Sequence, residues 1–186
     1  MLGYNLCITK TYTELDAIKY KQSKGKIYCL NPAIERHLPK GAGQNLLDVG
    51  CGDGFYSTLA NSKDYNYHGI DLSQGMIQKA KQLNPNVNFY TGSCFELDKH
   101  FSKGQFDVVI SNMLFPEFSS VNEIKKTMEQ ISNVLKPSGL FILTTSHPAF
   151  NRYMRKYFLN DPAVETDFYS YFDSGKSYTV KSRSTG

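Results

Sequence analysis

Three glycines stand at alternate positions just after a carboxylate in Asp48-Val49-Gly50-Cys51-Gly52-Asp53-Gly54. Glycines so spaced let a backbone turn sharply, take positive φ and come close to a bound ligand. If a helix follows, its N-terminus offers unpaired N–H groups and positive potential to that ligand. A second carboxylate, Asp71, closes the run Tyr67-His68-Gly69-Ile70 and is followed by Leu72. An acid placed there can accept both hydroxyls of a nucleoside ribose, or it can simply cap the turn. His147 lies in Ser146-His147-Pro148. With an unperturbed pKa near neutrality it can act as a general base or hold its loop by hydrogen bonding. His37, His68 and His100 show no partner pattern, and Cys7, Cys29, Cys51 and Cys94 form no C-x-x-C pair. That spacing argues against a zinc ribbon, a redox pair or a disulfide scaffold, and no metal is assigned.

These groups can meet only if strands bring them to one edge of a sheet. The apolar runs supply such strands. Asn45-Leu46-Leu47-Asp48-Val49 predicts the first, ending at the glycine turn, and Phe55, Tyr56, Leu59 and Ala60 give the following helix its apolar face. The second strand ends at Asp71, after which Ser73 caps a helix with Met76, Ile77, Ala80 and Leu83 at the 3.6 period. Asn84-Pro85-Asn86 stops that helix, and Val87-Asn88-Phe89-Tyr90 reads as a third strand. Phe106-Asp107-Val108-Val109-Ile110 is nearly continuous in apolar character, as a strand buried on both faces should be. Ser120-Val121-Asn122-Glu123 has capping-box spacing ahead of an amphipathic helix through Leu135. Lys136-Pro137-Ser138-Gly139 ends it, and Leu140-Phe141-Ile142-Leu143-Thr144 makes a fifth strand. The alternation predicts an α/β fold: a doubly wound, mostly parallel sheet with helices on both faces. In such a sheet ligands bind beyond the carboxyl ends of the strands, where the glycine turn, Asp71 and His147 all fall.

The motifs resemble, in order, those of the class I S-adenosylmethionine-dependent methyltransferases. Residues 46–55 are similar to the family's first motif, and Gly69-Ile70-Asp71-Leu72-Ser73-Gln74-Gly75-Met76-Ile77 to its second. Phe106-Asp107-Val108-Val109-Ile110-Ser111-Asn112-Met113 resembles the fourth, and Leu135-Lys136-Pro137-Ser138-Gly139-Leu140 the turn before the fifth strand. The likeness covers residues 42–146. It implies that Asp48, Gly50, Cys51, Gly52 and Gly54 form the cofactor turn, the first four against the methionine part. It implies that Asp71 binds the ribose hydroxyls, that Leu72 and Met76 flank the adenine, and that Asn112 and Met113 lie beside the methyl-bearing end. The family usually places an acid for the adenine amino group where this chain has Ser93, in Thr91-Gly92-Ser93-Cys94-Phe95. A serine oxygen still accepts one hydrogen bond, and the backbone of Cys94 and Phe95 can assist.

The implied activity is methyl transfer from S-adenosylmethionine to a small-molecule acceptor by in-line displacement, with S-adenosylhomocysteine as product. Such transfer asks mainly for positioning and exclusion of water. A nicotinamide-dependent oxidoreductase would also use Asp71, but the turn is not Gly-x-Gly-x-x-Gly. A domain that binds cofactor without turnover is the other alternative. Asn112 is followed by Met-Leu-Phe, with no Pro-Pro-aromatic run and no Pro-Cys nucleophile, which counts against a DNA base methyltransferase. The absence of an appended basic domain disfavours RNA. The net charge of +4 is concentrated toward residues 1–42, a flank that either attracts anions or is a solvated helix face.

The expected organisation is a helical flank over 1–42, the cofactor-binding core over 43–147, and an aromatic-rich segment over 148–186. That last segment carries Phe150, Tyr153, Tyr157 and Phe158, suited to walling an acceptor pocket or to ordinary packing. It holds too little apolar sequence for two further buried strands. The sheet is therefore expected to lack the last strands of the full fold, leaving an exposed fifth-strand edge through which two copies could pair. No apolar run reaches the ~18–20 residues of a membrane span, and no signal-peptide pattern opens the chain. The expectation is a cytoplasmic protein without a membrane partner.

Overall fold

The computed structural model describes residues 14–22 and 26–145. The chain divides into two units, Met1–Ser146 and His147–Gly186, and the described strands and helices all belong to the first. Five strands form one sheet: β1 (Asn45–Val49), β2 (Asn66–Asp71), β3 (Asn88–Thr91), β4 (Phe106–Asn112) and β5 (Leu135–Thr144). Their order is β3-β2-β1-β4-β5, and every pairing is parallel. The helices are α1 (Glu14–Lys19), α2 (Asn31–His37), α3 (Tyr56–Ser62), α4 (Gln74–Leu83) and α5 (Val121–Val134). A π-helical turn, Lys26–Leu30, runs directly into α2.

Period-two alternation sends neighbouring strand residues to opposite layers. Leu46, Val108 and Ile110 face one layer with Ile34 of α2, Ala60 of α3, and Ile77 and Ala80 of α4. Leu47, Val49 and Val109 face the other, with Ile131 and Val134 of α5. Both faces of β1 and β4 are thus buried, the physical reason these strands read as largely apolar runs. The two helix starts follow the expected chemistry. Ser73 Oγ accepts from the Met76 N–H, and Ser120 and Glu123 close a reciprocal capping box at α5. Each such cap stabilises its helix by about 1 kcal/mol.

Among the boundaries that differ from expectation, two have a clear physical reason. Strand β3 begins one residue later, because the Val87 N–H is held by the Asn84 carbonyl in a turn. Lys136-Pro137-Ser138-Gly139 does not separate α5 from β5. Leu135 already pairs with Phe106, and the ladder resumes at Val108 with Leu140. The breaker residues form a bulge: Pro137 has no N–H to give, and Ser138 takes φ 65. Lys136 is anchored there by an ion pair with Asp107 at 2.6 Å. The short 3₁₀ turns Leu97–Lys99 and Phe115–Glu117 had no signal in the sequence pattern. Among the described residues β5 pairs only on its β4 side, and no helix is long and apolar enough to cross a membrane.

Candidate functional site

The glycine turn after β1 is bound to the end of β2. The N–H groups of Gly50 and Cys51 both donate to the Ile70 carbonyl, at 2.9 and 3.1 Å. That places Gly52 over the next residue, and its N–H donates to Asp71 Oδ2 at 2.9 Å, while the Ser73 N–H donates to Oδ1 at 2.9 Å. The second carboxylate of the sequence is thus fixed by two backbone donors and keeps lone pairs for a ligand. Burial pushes the Asp71 carboxyl above the usual range; the two amides and the Lys26 charge oppose that rise.

Positive φ favours glycine at Gly50 and Gly52 of this turn. Gly50 has φ 77, and a side chain on it would meet Leu114 at 3.2 Å; Gly52 has φ 55 and would meet the Met76 methyl at 3.3 Å. The turn can therefore approach a ligand in a way that residues with a Cβ could not.

A cavity of about 150 Å³ opens beside the turn. Asp48, Gly50, Cys51 and Gly52 line it from β1, and Asp71, Leu72 and Met76 from β2 and α4. Ser93, Cys94 and Phe95 line it after β3, and Asn112 and Met113 after β4. Residues spread over much of the sequence converge because parallel strands put all their carboxyl ends on one side. Gly54 is the exception among the described candidates. It lies outside this lining, with φ 76, and a Cβ there would strike the Phe89 ring at 2.5 Å. The lack of a side chain there leaves room for the Phe89 ring and the Ala80 methyl. His147 lies outside the described residues.

Asp48 is 1% exposed and accepts the Tyr67 hydroxyl at 2.8 Å. Burial pushes its carboxyl up to about 7, against the lowering effect of that hydrogen bond. Burial likewise pushes the Cys51 thiol up, and the charge of Asp48 adds to it. The Cys94 thiol rises to about 11 by burial despite the Thr127 hydroxyl. Both thiols are therefore protonated and unreactive near neutrality. Ser93 Oγ accepts the Phe95 N–H at 3.1 Å, which leaves its own O–H for a ligand. Met113 takes φ 62, a left-handed conformation costing about 1–2 kcal/mol for a residue with a side chain. Its N–H is held by the Thr144 carbonyl at 3.0 Å.

Sequence reasoning missed a second group on the lining. Tyr20, Gln22 and Lys26 come from the N-terminal flank, and Tyr56 from the start of α3. The flank is tied down by Lys79 of α4, whose ammonium donates to the Ala17 and Tyr20 carbonyls at 3.0 and 3.1 Å. No periodicity in the flank announces this docking. Tyr56 could have been suspected, since the first residues after a glycine turn flank whatever the turn binds. Lys26 donates to the Tyr20 hydroxyl at 3.1 Å and brings a positive charge to a cavity whose other charged lining residues, among the described residues, are acids.

A parallel sheet with a glycine turn after β1 and a carboxylate at the end of β2 is an arrangement suited to a nucleoside cofactor. Comparison with known proteins places it further: residues 40–173 match the methyltransferase domain family, and the chain belongs to it, among the class I S-adenosylmethionine-dependent methyltransferases. A demethylmenaquinone methyltransferase of Renibacterium salmoninarum is 31% identical over 116 residues, 62% of this chain and 47% of that protein. The solved structure of an S-adenosylmethionine-dependent methyltransferase from Mesorhizobium loti matches with TM-score 0.55 at 26% identity, covering 63% of this chain and 52% of that one. A phosphoethanolamine N-methyltransferase of Haemonchus contortus, solved in complex with S-adenosyl-L-methionine, matches with TM-score 0.59 at 25% identity, covering 81% of this chain and 39% of that one. The chain spans less than half the length of the curated Renibacterium relative.

Proposed function

We propose that this chain binds S-adenosylmethionine and catalyses transfer of its methyl group to a small-molecule acceptor. The observation that carries this is Asp71, clamped by the Gly52 and Ser73 amides at the mouth of the glycine-turn cavity. In this reading Asp71 accepts the ribose hydroxyls, and Leu72, Met76 and the Ser93–Phe95 backbone enclose the base. Asp48, Gly50, Cys51 and Gly52 shape the amino-acid end, and Asn112 and Met113 border the transfer position. When bound, the cofactor supplies an electrophilic methyl on a sulfonium, open to in-line displacement. The protein's share is orientation and exclusion of water, since no covalent intermediate is required. A general base matters only for an acceptor that must lose a proton, and His147 is assigned that place on sequence alone.

The relatives named for demethylmenaquinone and phosphoethanolamine support a small-molecule acceptor over a nucleic acid. Free thiols at Cys29, Cys51 and Cys94 suit a reducing, cytoplasmic setting. Among the described residues β5 pairs only with β4, and association of two copies along that edge is part of this proposal. Calorimetric titration with S-adenosylhomocysteine, with NADH in parallel, tests the central point. Saturable binding of the former alone is expected. Binding of NADH alone would overturn the reading. Asp71→Ala should weaken S-adenosylhomocysteine by about 1.5–3 kcal/mol, through loss of charge-assisted hydrogen bonds, and an unchanged Kd would remove Asp71 from the ribose role.

A further inference from the structure

A chain of side-chain hydrogen bonds crosses the cavity, and none of its acids takes part. Thr144 Oγ1 donates to Asn112 Oδ1 at 2.5 Å. Asn112 Nδ2 donates to the Tyr56 hydroxyl at 2.7 Å. That hydroxyl donates to Asn31 Oδ1 at 2.5 Å, and Asn31 Nδ2 donates to Gln22 Oε1 at 2.8 Å. The chain joins β5, β4, α3, α2 and the N-terminal flank through one phenol. Tyr56, Asn112 and Gln22 line the cavity, whereas Asn31 and Thr144 stand behind it.

The direction of the chain has chemical consequences. A phenol carries one proton, so a Tyr56 hydroxyl that donates to Asn31 must accept from Asn112. Burial and the Asp48 charge push its pKa above the usual range, which keeps that proton in place. The Gln22 oxygen is then occupied, leaving its two N–H groups as its main capacity, and Asn112 keeps one N–H beyond the bond to Tyr56. Lys26, a donor without acceptor capacity, lines the same cavity. The site therefore has an acceptor region at Asp71 and a donor region at Gln22, Lys26 and Asn112.

We propose that Tyr56 is a positioning residue that sets the polarity of the Gln22 and Asn112 amides, so that both present N–H donors to a carboxylate on the ligand. The inference rests on the S-adenosylmethionine reading, in which that carboxylate is the amino-acid end of the cofactor. It assigns the N-terminal flank to recognition of that end, and it makes Asn112 a cofactor-side donor held by the fold.

The test compares S-adenosylhomocysteine with adenosine, which lacks the amino-acid part, on the full chain below the melting transition of every variant. Tyr56→Phe keeps the ring and removes the junction. Asn31→Ala breaks the chain at a residue that does not line the cavity. Each should weaken S-adenosylhomocysteine about tenfold, the scale of one or two hydrogen bonds to a charged group, and leave adenosine unchanged. The double variant should be no weaker than the worse single one, because both cut the same chain. A purely structural role would weaken both ligands in parallel, and that result would overturn the proposal. So would unchanged affinities in both variants, or losses that simply add. If the wild-type chain bound adenosine and S-adenosylhomocysteine equally, no carboxylate would be recognised and the proposal would fail with the cofactor reading intact. Binding of neither would refute the cofactor reading itself.

Discussion

Asp48 ionises in a place where ionisation is costly, and the cost should appear in the stability of the whole unit. Its side chain is 1% exposed, it accepts a hydrogen bond from the Tyr67 hydroxyl, and burial pushes its pKa from 3.8 to about 7. Each pKa unit corresponds to about 1.4 kcal/mol, so the ionised form is disfavoured in the native state by roughly 4 kcal/mol. The sign follows from proton counting. Between about pH 4 and pH 7 the native state holds this proton and the unfolded state has lost it, so stability falls as pH rises. The penalty is absent below that window and complete above it. Asp48→Asn keeps an oxygen for the Tyr67 hydroxyl and removes the charge. The variant should be more stable than wild type by about 2–4 kcal/mol near pH 8, and nearly equal to it near pH 4. Urea unfolding of both proteins across that range reads the difference directly. Carboxylates that do not interact with Asp48 titrate alike in the two proteins and cancel. If the two stability curves ran parallel from pH 5 to pH 8, roughly the span of the expected change, the reasoning about Asp48 would be wrong.

Gly54→Ala should cost about 2–4 kcal/mol, combining left-handed strain with overpacking against Phe89. Its melting temperature should fall while the Kd for S-adenosylhomocysteine per folded molecule stays unchanged; a weakened Kd in fully folded protein would return Gly54 to the ligand site. Ser93→Asp should tighten S-adenosylhomocysteine severalfold, since a carboxylate can hold the Phe95 N–H and still accept from the adenine amino group. Equal or weaker binding would show that the base does not lie against Ser93.

Much of the core was legible because its signals are local. A nearly continuous apolar run such as 106–110 reports burial on both faces, and Ser120 three residues before Glu123 reports a capped helix start. The bulge in β5 was not legible. Pro137 and Ser138 announce a breaker, but only pairing with Phe106 and Val108 makes it a bulge inside a strand. Gly54 shows the same limit from the other side. Its place in an alternating glycine run suggests a ligand, and the Phe89 ring that packs against it is visible only in the structure.

The sequence by itself determined the strand and helix order, the glycine turn, and the two acids at or next to the ends of β1 and β2, because period, capping and turn chemistry act over a few residues. The tertiary structure alone decided which distant groups share the cavity. Nothing in the order of residues links Gln22 to Asn112. They meet through Tyr56 and Asn31 because the carbonyls at the end of α1 bind Lys79 and a parallel sheet gathers its carboxyl ends on one side.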